Sequence, residues 1–213
     1  MNSKKIITFA FVIAAVSACF SQNDPKAKKI LDELSAKTKA YSTVKADFEF
    51  TVEKKDKTKT TQKGKLTTKG TKYKLEIPGH DIYCDGKTVW DHIKDASEVQ
   101  VKDMETGTEE DAVNPSTIFT LYEKGYKYKF DKEDAKTQTI SLFPLSPDKK
   151  KFHTVKLFIN KAKNEISSVV MNMKDGSSHT YLIKTFVSNS TIADADFSFN
   201  AKTHPGVSVE DLR

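Results

Sequence analysis

Arginine is almost absent from this sequence. The 213 residues include one arginine, Arg213 at the last position, so lysine carries almost all of the positive charge behind the formal net charge of +6. Proteins that read nucleic acids usually combine arginine with exposed aromatic side chains, whereas these lysines are interleaved with acidic residues and threonine, as in residues 54–59. We therefore expect no nucleic-acid partner, while a weak attraction to an anionic membrane surface stays open.

The sequence also lacks a recognisable catalytic, phosphate-binding or metal-binding motif. It has no metal-ligand spacing, no glycine-rich phosphate loop and no nucleophile elbow, and its few histidines fall in no recognisable constellation. The histidines are His80, His92, His153, His179 and His204. We predict that the protein is not an enzyme and that it holds no metal or other cofactor.

Only one apolar run approaches the length that crosses a membrane. It covers residues 6–16, follows two lysines and ends at two small residues. Because a spanning helix needs about 20 apolar residues, this run is typical of a cleaved secretory signal. We predict a signal peptide over residues 1–22 and a single domain over residues 23–213, the alternative being a permanent N-terminal anchor helix.

Cysteine is equally scarce, with two in the chain. Cys19 ends the tetrapeptide Val-Ser-Ala-Cys, which resembles the lipobox of bacterial lipoproteins, whose cysteine is acylated. The alternative is cleavage between Cys19 and Asp24, which would leave a soluble chain. Cys84 would then have no partner for an intramolecular disulfide, and we expect this thiol to be buried.

Two segments have the pattern of helices. Asp24-Pro25 supplies an N-cap and a proline for the first turn, and apolar residues then recur every three or four positions as far as Tyr41. Residues 114–115, Asn-Pro, repeat this start before a short apolar segment that ends near Gly125.

Most of the remaining sequence alternates between apolar and polar residues with a period of two. Residues 44–52 show this pattern, and turn dipeptides such as Pro78-Gly79 and Asp85-Gly86 separate the segments. We predict a mainly β protein in which about ten or eleven short strands form an antiparallel meander with one apolar face. A sheet this wide must curl, and the space that it encloses either packs solid or holds a ligand.

The bulky apolar residues of the alternating strands and of the second helical segment are the candidates for lining the enclosed space. They are Phe48, Phe50, Leu66, Tyr73, Leu75, Trp90, Ile118, Phe119, Leu121, Tyr128, Phe130, Leu142 and Met171.

Several short motifs occur in a fixed order along the chain. They are residues 64–66, Gly-Lys-Leu, residues 85–90, Asp-Gly-Lys-Thr-Val-Trp, and the C-terminal residues 195–199 and 205–211. This ordered set resembles the periplasmic outer-membrane lipoprotein carriers, the LolA family, in which the motifs look like the Gly-x-Leu strand, the central hairpin and the C-terminal end. The resemblance runs from about Lys26 to Arg213.

The resemblance implies an unclosed antiparallel β half-barrel with a helical lid, whose apolar cavity receives the acyl chains of lipoproteins. It implies a periplasmic carrier that takes its cargo from an inner-membrane lipoprotein release complex and delivers it to an outer-membrane acceptor. The candidate residues above would line the acyl-chain cavity. We expect a monomer that touches membranes only transiently.

Two features depart from that picture. Many family members have an arginine just after the Gly-x-Leu strand that hydrogen-bonds to the lid, but residues 67–71 contain none, and Lys69 is at best a neighbouring substitute. A lipidated Cys19 would reach only about 15 Å through residues 20–24. The alternative function is therefore a membrane-anchored lipoprotein acceptor or envelope lipid sensor of the same fold, tethered through Cys19.

Overall fold

The computed structural model describes residues 24–104 and 125–213. The predicted signal peptide with Cys19 lies outside these ranges, and so do Ile118, Phe119 and Leu121 of the predicted lid. Within the described residues the chain forms one α-helix, twelve β-strands and three short 3-10 helices.

The elements follow one another in a simple order. The helix α1 spans Pro25–Lys39, and the 3-10 helices span Pro147–Lys149, Asp194–Phe197 and Ala201–Thr203. The strands are β1 (Val44–Glu53), β2 (Lys59–Lys69), β3 (Lys72–Ile77), β4 (His80–Cys84), β5 (Thr88–Ile93), β6 (Glu98–Asp103), β7 (Tyr126–Glu133), β8 (Thr137–Pro144), β9 (Phe152–Asn160), β10 (Glu165–Met173), β11 (Ser178–Ser188) and β12 (Ser208–Asp211).

Helix α1 begins where the sequence pattern places it. The side chain of Asp24 accepts hydrogen bonds from the backbone amides of Lys26 and Ala27 at 2.9 and 3.2 Å, and Pro25 occupies the first turn. The second carboxylate oxygen of Asp24 accepts from the amide of Phe130 at 3.0 Å, which fixes the helix start to β7. These amide donors hold the pKa of Asp24 below its ordinary value.

All twelve strands belong to one sheet in the order β12-β6-β5-β4-β3-β2-β1-β11-β10-β9-β8-β7. Two antiparallel meanders, β1 to β6 and β7 to β11, are joined by the pairing of β1 with β11. The sheet ends at β12 and β7, so the prediction of a mainly β, unclosed half-barrel is confirmed. The predicted strand count was too low. All four residues of β12 are exposed, so this strand has no alternation to detect, and it pairs with β6 in parallel.

Helix α1 packs on one face of the sheet, which we call the inner face, and the opposite face is the outer face. Its apolar stripe, Ala27, Ile30, Leu31 and Leu34, is buried in one cluster with side chains of β8, β9 and β10. In this cluster Ile140, Leu142, Val155, Leu157 and Ile159 have no exposed surface. This half of the inner face is therefore packed solid.

The outer face is covered at the other end of the sheet by the chain between β11 and β12. The ring of Phe199 lies 6.0 Å from that of Tyr83 and 5.4 Å from that of His92, and the ring of His204 lies 4.9 Å from that of His92. Val99 is fully buried here although it faces away from α1. Strands β4 to β6 therefore have apolar residues on their outer face as well.

Two lysines hold this C-terminal segment to the sheet. Lys69 donates to the carbonyl of Ile192 at 3.1 Å and to a carboxylate oxygen of Asp194 at 2.7 Å, while Lys72 donates to the other oxygen at 2.8 Å. The two ammonium groups lower the pKa of Asp194 to about 2. Because this pKa lies below its usual 3.8, the stabilisation is complete above that value and is lost as the pH falls through about 2.

Replacing the carboxylate, as in Asp194→Asn, is expected to loosen the C-terminal segment without unfolding the sheet. Asp194 begins a 3-10 helix, and at pH 6 the hydrogen-bonded amides of Asp196 within it and of Ser198 directly after it should exchange with solvent faster than in the parent protein. Asp148→Asn, in another exposed 3-10 helix, is the control and should change nothing there. Equal exchange in all three proteins would show that the two ion pairs do not hold the segment.

Candidate functional site

The strand register decides which side chains share the inner face. Residues paired across neighbouring strands point to the same side of a sheet. Ala46 pairs with Leu66, Leu66 with Leu75, and Leu75 with Ile82, so these residues form one inner row. The alternation in β1 to β3 thus turns apolar residues toward the side on which α1 packs.

The inner face over β1 to β5 is less completely buried than the solid half. Four apolar side chains lie at the margin of the packed cluster and are only half-buried: Phe48, Leu75, Ile82 and Val89. We call these four residues the inner strip. These side chains lie in neighbouring rows of the register, and because each is only half-buried, further apolar surface can still be buried there. The inner strip is therefore where the described residues favour an apolar ligand.

Gly64 gives a physical reason for the Gly-x-Leu motif. A Cβ atom at this position would lie 2.4 Å from Cζ of Phe48, well inside van der Waals contact, so only glycine lets the Phe48 ring lie across β2. Leu66, two residues on, is buried on the same face. The motif therefore sets the position of the first ring of the inner strip.

Aromatic rings extend the inner face onto β11. The ring of Phe50 stacks on that of Tyr181 with centroids 4.7 Å apart, and the ring of Phe48 lies 6.3 Å from Tyr181. Burial raises the pKa of the Tyr181 hydroxyl, so it stays neutral at ordinary pH.

Tyr181 was not among the predicted residues, because the alternation of β11 is broken. Thr185 lies four positions further on, yet it pairs with Asp47 and faces outward, since the register shifts between Asp47 and Phe48. A strict period of two therefore cannot assign both ends of β11 to the correct face.

Most described candidates lie on the inner face, but they differ in burial. Leu66, Tyr73, Leu142 and Met171 are buried within the packed cluster, and Phe48, Leu75, Tyr128 and Phe130 lie partly exposed at its margin. Phe50 shares the face of Phe48 and is half-buried. Leu142 lies on β8 and Met171 on β10, so they belong to the solid half and not to the inner strip.

The prediction that Trp90 lines the enclosed space is wrong, because the register places its side chain on the outer face. It pairs with Tyr83 on one side and with Val101 on the other, whereas Val89 pairs with Cys84 and faces inward. The prediction assumed that the bulkier residue of β5 would point to the enclosed side. Since the C-terminal segment covers the outer face here, the sequence signal for this strand was ambiguous.

Lys69, the predicted neighbouring substitute for the family arginine, points to the outer face of the sheet. It follows Thr68, whose side chain shares the inner face with Tyr73, and its own ammonium group binds Ile192 and Asp194 of the C-terminal segment on the outer side. Strand alternation puts neighbouring residues on opposite faces. Lys69 therefore holds the C-terminal segment, and how the predicted lid is held stays a prediction, because the lid lies outside the described residues.

Cys84 is fully buried on the inner face, as predicted. Its sulfur lies 3.6 Å from that of Met104, and burial raises the pKa of its thiol. A buried thiol with a raised pKa is a poor nucleophile, so this residue acts as a core side chain.

The described residues contain no cluster of three or more histidine, cysteine or acidic side chains that could hold a metal ion. Over the same ranges, none of the helical structure is both long enough and apolar enough to span a bilayer.

A known protein family matches most of the chain. Residues 17–177 match the family model described as "Outer membrane lipoprotein carrier protein LolA". The match ends before residues 195–211, so it does not include the C-terminal motifs that also suggested the resemblance. No curated protein matches the sequence significantly.

Solved structures share the fold at very low sequence identity. An uncharacterized conserved protein from Thermus thermophilus is 11% identical, with a TM-score of 0.58, covering 87% of this chain and 99% of that one. A DUF1329 family protein from Desulfovibrio piger is 10% identical, with a TM-score of 0.51, covering 84% and 99%. A LolA superfamily protein from Nitrosomonas europaea is 12% identical and covers 81% and 97%, but its TM-score is only 0.47.

Proposed function

Since the chain belongs to the outer membrane lipoprotein carrier protein family, LolA, we propose that it binds the acyl chains of lipoproteins on the inner face of its half-barrel. In this proposal it is a periplasmic carrier that shields those chains from water until they reach the outer membrane. It works as a binding protein and not as an enzyme.

The observation that carries the proposal is the inner strip beside a solid core. One half of the inner face is filled by α1 and gives the sheet its stability, while Phe48, Leu75, Ile82 and Val89 keep part of their apolar surface. A rigid half next to an incompletely buried apolar half is suited to hold a flexible hydrocarbon chain without unfolding.

The energetics explain why such a surface is needed. Burying a methylene group contributes about 0.8 kcal/mol, so exposing one palmitoyl-length chain to water costs roughly 10 kcal/mol. A lipoprotein with several chains would cross the aqueous periplasm too slowly without a carrier. A partly open surface recovers most of this energy yet still lets the cargo leave for a tighter acceptor.

The partners follow from the same proposal. Acylated lipoproteins are the cargo, an inner-membrane lipoprotein release complex supplies them, and an outer-membrane acceptor takes them. Contact with either membrane is transient, and the carrier acts as a monomer.

A charge placed in the inner strip should abolish binding of cargo. Leu75→Glu would put a carboxylate against the acyl chain, at a cost of several kcal/mol, so affinity for a palmitoylated peptide should fall at least about a hundredfold. The measurement is a direct titration, with far-UV circular dichroism to show that the sheet remains folded.

Leu182→Glu is the matched control for this variant. Leu182 is exposed on the outer face of β11, next in sequence to Tyr181, so the same substitution there should leave affinity unchanged. Normal binding by a folded Leu75→Glu protein would show that the acyl chain lies elsewhere.

The alternative is a membrane-anchored acceptor or lipid sensor of the same fold, favoured by the lipobox-like residues 16–19. An anchored protein cannot shuttle between two membranes, since two acyl chains already give stable attachment. Our proposal predicts that the parent protein and Cys19→Ser both fractionate as soluble periplasmic proteins. If the parent protein is membrane-bound and becomes soluble on this one change, the anchored acceptor or sensor is correct and the carrier proposal is wrong.

A further inference from the structure

The inner face becomes more polar between β3 and β6. Next to the inner strip, β4 and β5 turn His80 and Asp91 inward, because Ile82 pairs with Asp91 and the strands alternate. The half-buried Ile93, which pairs with both His80 and Glu98, also faces inward. On β6 the inward residues include Glu98 and Gln100, whereas Val99 faces the C-terminal segment. We call His80, Asp91, Glu98 and Gln100 the polar edge.

The polar edge is ordered by hydrogen bonds but still open to a ligand. Nδ1 of His80 lies 2.8 Å from Oδ1 of Asp91, and Nε2 of Gln100 donates to Oε1 of Glu98 at 3.0 Å. The side chains of His80 and Asp91 are 39% and 30% exposed. Each of these bonds uses one oxygen of a carboxylate, and a carboxylate can accept about four hydrogen bonds. The polar edge therefore retains acceptor capacity that faces solvent.

We propose that the polar edge is the head-group end of the acyl-chain site, and that it selects acylated ligands whose head is uncharged and donates hydrogen bonds. The backbone amides of an acylated peptide are such a head, whereas the carboxylate of a fatty acid or the phosphate of an anionic lipid is not. This inference rests on the proposed function, because it assumes that the hydrocarbon lies on the inner strip.

The strand register places the polar edge directly beside the inner strip. Leu75, Ile82 and Asp91 are consecutive partners on β3, β4 and β5, and Asp91 pairs in turn with Gln100 on β6. Neighbouring strands lie about 4.8 Å apart, so Asp91 lies one strand, about 5 Å, beyond Ile82, while His80 lies two residues from Ile82 on β4 itself. A chain that lies across the inner strip can therefore place its first polar atoms among these four side chains.

Negative charge at the polar edge would select against anionic head groups. Asp91 and Glu98 repel an anionic head, and Glu210 of β12, which pairs with Gln100, adds a third carboxylate at this end of the sheet. The one inward cation on β6, Lys102, is exposed to solvent and so strongly screened. Repulsion of the wrong ligand is a common source of specificity. It would keep a carrier that touches membranes from filling with free fatty acid or anionic lipid.

The test uses two ligands that differ only in the head: N-palmitoyl-glycine amide, which is neutral, and N-palmitoyl-glycine, which is anionic at pH 7.5. The parent protein is expected to bind the amide at least tenfold more tightly. In the double variant Asp91→Asn/Glu98→Gln the two affinities should differ by less than about threefold, because binding of the anionic ligand improves.

A charge-matched control separates the local effect from the net charge. The double variant Asp103→Asn/Asp148→Asn removes two exposed carboxylates, one on the outer face of β6 and one in a distant 3-10 helix, and should keep the tenfold preference. Equal binding of both ligands by the parent protein, or an unchanged preference in Asp91→Asn/Glu98→Gln, would overturn the inference and leave the carrier function intact. Binding of neither ligand would overturn the proposed function itself.

Discussion

The pairing of β1 with β11 joins two meanders that would otherwise be separate sheets. It matches residues far apart in the chain, such as Asp47 and Thr185, which are 138 positions apart, and it runs the full length of β1 with one irregularity beside Phe48. Such non-local pairing is costly in chain entropy and is formed only because it completes a continuous apolar face. It also brings Phe48 and Phe50 against Tyr181 and so connects the inner strip to the solid core.

The two halves of the sheet have different roles. The half covered by α1 contains most of the fully buried aliphatic side chains of the described residues, so it can carry the stability of the fold. The inner strip and the polar edge lie on the other half, where the sheet is held instead from its outer face by the C-terminal segment. Because that half is held from its outer face, the apolar side chains of the inner strip stay only half-buried. In the proposed function, the inner strip would contact the acyl chain and the polar edge would contact its head group.

Sequence alternation predicted the inner face well where only one face of a strand is buried. On β1 to β3 it placed Phe48, Leu66 and Leu75 correctly, because lysines and acids mark the other side. It failed at Trp90, since β5 has apolar residues on both faces and the C-terminal segment packs on the outer one, so apolar character alone does not show which way a side chain points. The crossing of the outer face by the C-terminal segment depends on contacts over more than a hundred residues, such as that of Lys69 with Asp194, which a local pattern cannot reveal.

The central claim is that the acyl chain lies on the inner face beside the solid core. The most direct measurement is photo-crosslinking with a palmitoylated peptide that carries a diazirine in the middle of its hydrocarbon chain, followed by mass spectrometry of the labelled residues. Our account predicts labels on Phe48, Leu75, Ile82 or Val89, and none on outer-face residues such as Leu182. Labels confined to the outer face, or a folded protein that is not labelled at all, would contradict it.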